Sequence, residues 1–506
     1  MVAAAMNEHG HPPMNISSDK TTHAHVEHGA TQDPKQNTAE GHASDEYISA
    51  VYHSDPAAER RLRLKIDLYV VPTVFLLYLF CFIDRTNVGN ARLAGFEKDL
   101  HLQRYDYNAV LSYFYISYII LEIPANTMCK IIGPGWFLPF CTVQGYSSVA
   151  AVRFLLGVFE AGMLPGIAYY LSRWYRRSEL VFRLSLYIIA APLAGAFSGL
   201  LASAILRLDH FASFKSWRII FAIEGIATIV VGALAFFTMT DRPQSSRWLS
   251  VEEKKLAIGR VQSENIGTQQ IMDKIDVSKL LRGICSPITI GTAVVFLLDN
   301  ITVQGLAIFA LTVVRTIYSK ETVVTQQFHT VLPYIVGGTS VLIVSFCSWK
   351  TNKRTIYFLP CAMLMMIGYI IFVATTESRV RYGATFIIAA GAFPFGAFCN
   401  TQVSANVASD TARASAIATN VMFGNMGGLV STWSFLPFDA PNYKIGNGLN
   451  LATSASIITI SIYLLIWMKV DNGRKERLSA SSELDGLNQK QIEDLDWRHP
   501  DFQWKP

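Results

Sequence analysis

Charge is what this chain has least of. Only 16% of its 506 residues are Asp, Glu, Lys or Arg, against about 25% in a soluble globular protein. Cysteine is scarce as well. The seven present (Cys81, Cys129, Cys141, Cys285, Cys347, Cys361, Cys399) are odd in number and sit in or beside apolar segments, so they read as packing residues and exclude a disulfide framework. No Gly-rich loop precedes a Lys-Ser/Thr pair, which removes an ATP-driven mechanism. No metal-ligand spacing of His and Cys and no nucleophile elbow appears, so neither a metal site nor an enzyme is expected. Residues 1–50 contain no apolar h-region and hence no cleavable signal peptide. The net charge of +5 needs no nucleic acid, because basic loops are the norm on one side of a membrane protein. The sequons at Asn15 and Asn300 fall in a polar tail and inside an apolar block, which argues against glycosylation at either.

What is abundant is apolar sequence: 51% of residues, with mean hydropathy +0.29. It comes in blocks of about 20 residues, enough to cross ~30 Å of hydrocarbon at ~1.5 Å per residue. Eleven blocks stand out, near 66–90, 108–131, 148–172, 182–206, 217–239, 287–311, 327–349, 356–375, 383–405, 415–436 and 450–469. After Lys130 the short piece "WFLPFC" leaves two counts open: eleven crossings, or twelve with a stunted third. Loop charge selects twelve. Only then do Arg173, Arg176, Arg177, the connector "DRPQSSRWLSVEEKKLAIGRVQSEN", Lys350, Lys353, Arg354 and the basic residues after Lys469 share the cytoplasmic side. Six spans on each side of a charged connector is the layout of two-halved secondary transporters.

The expected organisation is therefore a disordered cytoplasmic tail over 1–58, a first bundle over 59–240 and a cytoplasmic connector over 241–286. A second bundle over 287–470 and a cytoplasmic tail over 471–506 complete it. The seven histidines before residue 54 match no ligand spacing, and the tail composition is that of a disordered segment.

Several stretches resemble one family. "FIDRTNVGNARLAGFEKDL" (Phe82–Leu100) resembles the first-helix signature of the anion:cation symporter branch of the major facilitator superfamily, which includes fungal permeases for allantoate, nicotinate and other vitamins. "EIPANTMCKIIGP" (Glu122–Pro134) is similar to its second helix, and "VRFLLGVFEAGMLPGIAYYLSRWYRRSE" (Val152–Glu179) to its fourth. "GNMGGL", "DAPNYKIGNGLNL" and the terminal "DLDWRHPDFQW" resemble later elements in the same order. The segment from Pro134 to Val152 departs by lacking most of the third helix. The resemblance implies an all-α membrane protein with two six-helix bundles around a midplane cavity.

The polar residues inside the spans are the candidate site, since a charge in mid-bilayer costs at least ~2.5–3.5 kcal/mol and persists where it faces a cavity or partner. At ~100° per residue, Asp84, Asn87 and Asn90 share a stripe on the first helix while Arg85 points away from it. Two readings fit that cluster: a substrate path, or an interfacial helix end. The resemblance favours the first. Arg85 and Arg153 are then candidates for anion recognition or ion pairing, with Asp84 as a resting partner of Arg85. Asn87, Asn90, Asn400 and Asn425 would line the substrate path; Gln402 and Asn420 are similar, and interhelical bonding is the competing role for the later amides. A proton-coupled carrier needs a carboxyl that loads and releases near neutral pH. Asp84, Glu122, Glu160 and Glu224 are the candidates, and Asp299–Asn300 is a further intramembrane polar pair. "EAGMLPG" reads as a packing and hinge element, with Gly162, Pro165 and Gly166.

The expected function is secondary active transport of a small organic anion, a carboxylate or vitamin-like molecule, by proton symport, with no cofactor beyond the proton gradient. A monomer in the plasma membrane with both termini cytoplasmic is expected, its partners being lipid and the transported anion. Two other readings stay open: an exporter of a small metabolite, and a member unable to transport because of the short third span.

Overall fold

A helix in hydrocarbon satisfies its backbone groups internally, and the described parts of the apolar blocks are helical. The computed structural model describes residues 55–93, 96–100, 105–132, 149–206, 216–262, 277–318, 320–407, 409–479, 496–499 and 502–506, and there is no strand among them. The helices are α1 (Pro56–Leu93), α2 (Asp106–Ile132), α3 (Val149–Glu160), α4 (Met163–Trp174), α5 (Arg177–Ile188), α6 (Ala190–Leu206), α7 (Ser216–Thr238) and α8 (Val251–Gln262). Then follow α9 (Val277–Ile284), α10 (Pro287–Ile317), α11 (Val323–Thr351), α12 (Thr355–Ala374), α13 (Ser378–Ala392), α14 (Phe395–Ala405), α15 (Asp410–Thr432) and α16 (Lys444–Ser479).

Nine stretches among the described residues are long and apolar enough to cross a membrane. They are the expected first, fourth to tenth and twelfth spans. The second and eleventh appear as α2 and α15, helices of 27 and 23 residues. α2 and α15 pack on each other, and α15 is buried along nearly its whole length. The expected short third span, at 133–148, lies outside the described residues, as does the tail up to residue 54.

Three spans are each two helices in line. α3 and α4 meet at Ala161–Gly162, α5 and α6 at Ile189, and α13 and α14 at Phe393–Pro394. Prolines free carbonyls that neighbours then take up. Pro394 leaves the Ala390 carbonyl without its helical donor, and Ser340 Oγ donates to it at 2.6 Å. Pro333 does the same to His329, whose carbonyl accepts the Tyr382 hydroxyl at 2.9 Å.

Among the N-terminal helices, α1 packs on α6 and α7, and α2 on α3; among the C-terminal ones, α10 packs on α15 and α16, and α12 on α13 and α16. Contacts between these sets also include α5–α11, α5–α14, α1–α10 and α4–α15, but the most extensive are α2–α15 and α6–α11. Both rely on glycine: a Cβ on Gly428 would overlap the Tyr115 ring, and one on Gly195 the Tyr334 ring.

The connector is tied to the helices at both ends. Its α8 starts on a capping box, in which Ser250 N–H donates to Glu253 Oε2 at 2.8 Å and Glu253 N–H to Ser250 Oγ at 3.2 Å. Arg260, 2% exposed, then bonds Glu59 at 3.0 Å and Glu179 at 2.7 Å. Trp248 stacks on Tyr69 with ring centroids 4.6 Å apart. At the other end, Ser415 Oγ of α15 donates to the Leu280 carbonyl of α9 at 3.0 Å. The final helix also outruns its expected boundary, continuing past residue 470 to Ser479. The last residues fold back on it. Trp504 Nε1 donates to Asp471 at 2.6 Å, and Gln402 and Asn406 donate to the Lys505 carbonyl at 2.9 and 3.1 Å.

Removing one member of a buried ion pair strands the other and costs about 3–5 kcal/mol. Arg260→Ala is therefore expected to lower the thermal midpoint of the purified protein in detergent. An unchanged midpoint would show that the connector is not held by this residue.

Candidate functional site

Tyr78, Phe82 and Arg85 are spaced by four and three residues, which puts them on one face of α1. Phe296, Asp299, Asn300, Val303 and Gln304 make the matching face of α10. With Tyr118 of α2 and Gly424 and Asn425 of α15, these two faces line one central cavity. It draws walls from both the N-terminal and the C-terminal helices.

Arg85 is the cation of that cavity wall. Its Nε donates to Glu160 Oε2 at 3.0 Å, with the Arg85 side chain 9% exposed and that of Glu160 3%. Cys81 Sγ donates to the same oxygen at 3.3 Å. The guanidinium lies over the rings of Phe114 and Tyr118, 5.1 and 4.8 Å from their centroids, a cation–π arrangement. Glu160 is held in place because α3 ends on it, one residue before the break.

The expected partner of Arg85, Asp84, is not the one it uses. One residue along a helix turns ~100°, so Asp84 faces elsewhere, and its carbonyl accepts Arg153 Nη1 at 3.2 Å. Arg153 also lies over the Phe221 ring, 5.7 Å from its centroid. Glu224 is buried beside this group, within Coulombic reach of Asp84 and Arg153, and neither of its carboxyl oxygens has a hydrogen-bond partner among the described residues. Arg153, Asp84 and Glu224 thus form a second cluster, and none of them lines the central cavity.

The polar stripe expected on α1 also lies off the cavity. Asn90 Nδ2 donates to Asn87 Oδ1 at 2.9 Å; both are buried, and neither is a lining residue. Asn400 donates to the Gly396 carbonyl at 2.9 Å and accepts Asn420 at 3.0 Å, so it braces α14 against α15. Gln402 serves the C-terminal residues, as described above. Among the expected substrate-binding residues, only Arg85 and Asn425 line the cavity.

Two polar bonds tie α2 to residues of the cavity wall. Asn425 Nδ2 donates to Glu122 Oε2 at 3.4 Å, and the Tyr115 hydroxyl donates to Gln304 Oε1 at 3.0 Å. Glu122 is fully buried, and its other oxygen has no partner among the described residues.

Sequence reasoning passed over Gln304 and the apolar lining residues Leu164 and Phe393. A signal for the last two was present. Ala161-Gly162-Met163-Leu164-Pro165 at the α3–α4 break recurs as Ala390-Gly391-Ala392-Phe393-Pro394 at the α13–α14 break. Each copy presents its fourth residue to the cavity.

Paired helix sets, broken helices beside a central cavity and buried charges within it describe a carrier fold. Residues 74–432 match the Major Facilitator Superfamily. The chain belongs to the major facilitator superfamily. "MFS-type transporter efuF" of Hormonema carpetanum is 30% identical over 476 residues, covering 90% of this chain and 94% of that protein. The high-affinity nicotinic acid transporter of Saccharomyces cerevisiae is 27% identical over 459 residues, covering 88% and 85%. The xylose transporter XylE from E. coli, in a partially occluded inward-open conformation, matches with a TM-score of 0.58 at 14% identity, over 77% of this chain and 97% of that one. That last likeness concerns the fold alone. The protein is thus a multi-pass membrane transporter of this superfamily, and not an enzyme.

In this major facilitator transporter the α2–α15 contact holds one wall of the cavity. Overpacking a close contact costs about 1–3 kcal/mol, whereas losing a single neutral hydrogen bond costs about 1 kcal/mol. Gly428→Leu is therefore expected to lower the thermal midpoint of the purified transporter more than Tyr115→Phe does. The reverse order would remove the glycine contact as a determinant of this wall.

Proposed function

We propose that this transporter carries a small organic anion, a carboxylate, together with a proton, by alternating access to the central cavity. The observation that carries the reading is the Arg85–Glu160 pair, a guanidinium in the cavity wall whose charge is already claimed by a carboxylate of the protein.

The pair couples two binding events by competition. While Glu160 is ionised, it neutralises Arg85 through the Nε bond, and a substrate carboxylate would have to compete with it. A proton on Glu160 cancels that claim. The guanidinium then offers a fixed fork of donors that suits a carboxylate, and Phe114 and Tyr118 keep its plane in position. When the anion leaves, Arg85 returns to Glu160 and the proton is released. Loading one ligand thus requires the other, and for a monocarboxylate the cycle moves no net charge. Glu122, bonded only weakly to the cavity-wall residue Asn425, is the candidate for a second proton-accepting group. In this scheme the two halves, 59–240 and 287–470, rock about the cavity, with the connector and both termini in the cytosol, in the plasma membrane and as a monomer. The similarity to a nicotinic acid transporter supports a carboxylate cargo.

The test is uptake of labelled nicotinate and related carboxylates into proteoliposomes at two external pH values. Uptake by the unmodified protein is expected to rise as the external pH falls. Glu160→Gln, which mimics the protonated acid, is expected to bind the anion while losing most of that pH dependence. Arg85→Ala is expected to cut uptake by roughly ten- to a hundredfold, the worth of a charge-assisted bond. Carboxylate uptake indifferent to pH in the unmodified protein would sink proton symport.

A further inference from the structure

Asp299 lies in the middle of the central cavity's α10 wall and is fully buried. Neither of its carboxyl oxygens has a hydrogen-bond partner among the described residues. The polar neighbours on that wall are already engaged. Asn300 donates to the Phe296 carbonyl at 2.9 Å, and Gln304 Nε2 reaches Asn300 Oδ1 at 3.5 Å. Asn425 donates to the Val421 carbonyl at 3.0 Å and to Glu122 at 3.4 Å. Arg85, the guanidinium lining the same cavity, is engaged by Glu160.

A carboxyl buried without a partner is costly, and polar groups at this depth persist where a cavity ligand uses them. What Asp299 lacks is a donor, and it lacks it on the surface a substrate would touch. We propose that the substrate carries, besides the carboxylate directed at Arg85, a hydrogen-bond donor that Asp299 accepts. α1 and α10 pack on each other, so the two recognising groups stand on facing helices around one small space. The cargo is then a ditopic organic acid, with an anionic end toward α1 and an ammonium, ring N–H or hydroxyl end toward α10. This inference rests on the anion reading for the end held by Arg85, and on Asp299 alone for the other.

The test uses the full-length transporter in lipid nanodiscs, with dissociation constants taken from ligand-dependent thermal stabilisation. Four probes suffice: 3-methylbenzoate, 3-hydroxybenzoate, 3-(aminomethyl)benzoate and benzylamine. At least one donor-bearing acid is expected to bind roughly tenfold or more tightly than 3-methylbenzoate, the worth of a hydrogen bond to a charged group. Asp299→Asn is expected to erase most of that advantage. A larger gain for the ammonium identifies a cationic nitrogen as the donor, and a larger gain for the hydroxyl identifies a neutral one. Equal binding of the three acids by the unmodified protein would overturn the inference, whatever the variant does. Binding of benzylamine but of none of the acids, lost in Asp299→Asn, would uphold the role of Asp299 and sink the anion reading.

Discussion

A guanidinium inside a membrane protein must be matched by an opposite charge, and the centre of this transporter is arranged around that requirement. Arg85 and Glu160 lie on different helices, 75 residues apart in sequence, and their bond closes α1 against the end of α3. Desolvation makes such a pair costly in itself, so its presence says more about use than about stability. The aromatic rings of Phe114 and Tyr118 under the guanidinium raise its commitment to one geometry. A charge fixed in this way can be released only by changing its partner. That is why protonation of a single carboxyl can act as a switch.

The fold was largely legible in the sequence because lipid imposes long, uninterrupted apolar runs. Eleven blocks could be read from apolar patterning; among the described residues nine of them return as long apolar spans, and the second and eleventh as the helices α2 and α15. The site was less legible. A helical wheel places Asp84, Asn87 and Asn90 on one stripe, but it cannot tell which side of α1 faces the cavity. That depends on the neighbours that dock there, and these bring the cavity to the Arg85 side. Similarly, Asn400 is a buried amide with no sequence mark to distinguish a ligand contact from a brace, and its bonds to Gly396 and Asn420 make it a brace. Asp299 was visible as an intramembrane acid. Its lack of a partner is a property of the assembled wall, and no spacing encodes it.

The glycines show a second way in which meaning depends on assembly. Gly195 and Gly428 look alike in sequence, as small residues in apolar runs that permit close helix approach. In the fold each lies under a tyrosine ring of the other helix set, Tyr334 in one case and Tyr115 in the other. The arrangement repeats across the molecule: a glycine on one helix accepts a tyrosine from the facing one. Flat ring-on-backbone contacts of this kind bury area without interlocking side chains.

The distribution of bonds along the molecule then bears on where it can yield. At the connector end, α8 is held by Arg260, Glu59, Glu179 and the Tyr69–Trp248 stack, and the C-terminal residues are held by Asp471, Gln402 and Asn406. Those ties are local to the helices they join, so they stiffen each set without bridging the two. Between the sets, α2–α15 and α6–α11 have glycine–ring contacts, and α2 and the end of α15 are also joined by Asn108 donating to the Thr432 carbonyl and Trp433 Nε1 donating to Ser112. Inside them, the helices beside the cavity are interrupted at Ala161–Gly162 and Phe393–Pro394, where Leu164 and Phe393 meet the cavity. The repeated Ala-Gly-x-x-Pro sequence at both interruptions places a break in each set next to the groups that would bind the cargo. A stiffened connector end and breaks beside the cavity are what a carrier needs if binding is to be felt as movement. The polar stretch that follows the apolar run of α1 belongs to that scheme through one residue, Arg85, whose partner Glu160 lies on the last turn before the first break.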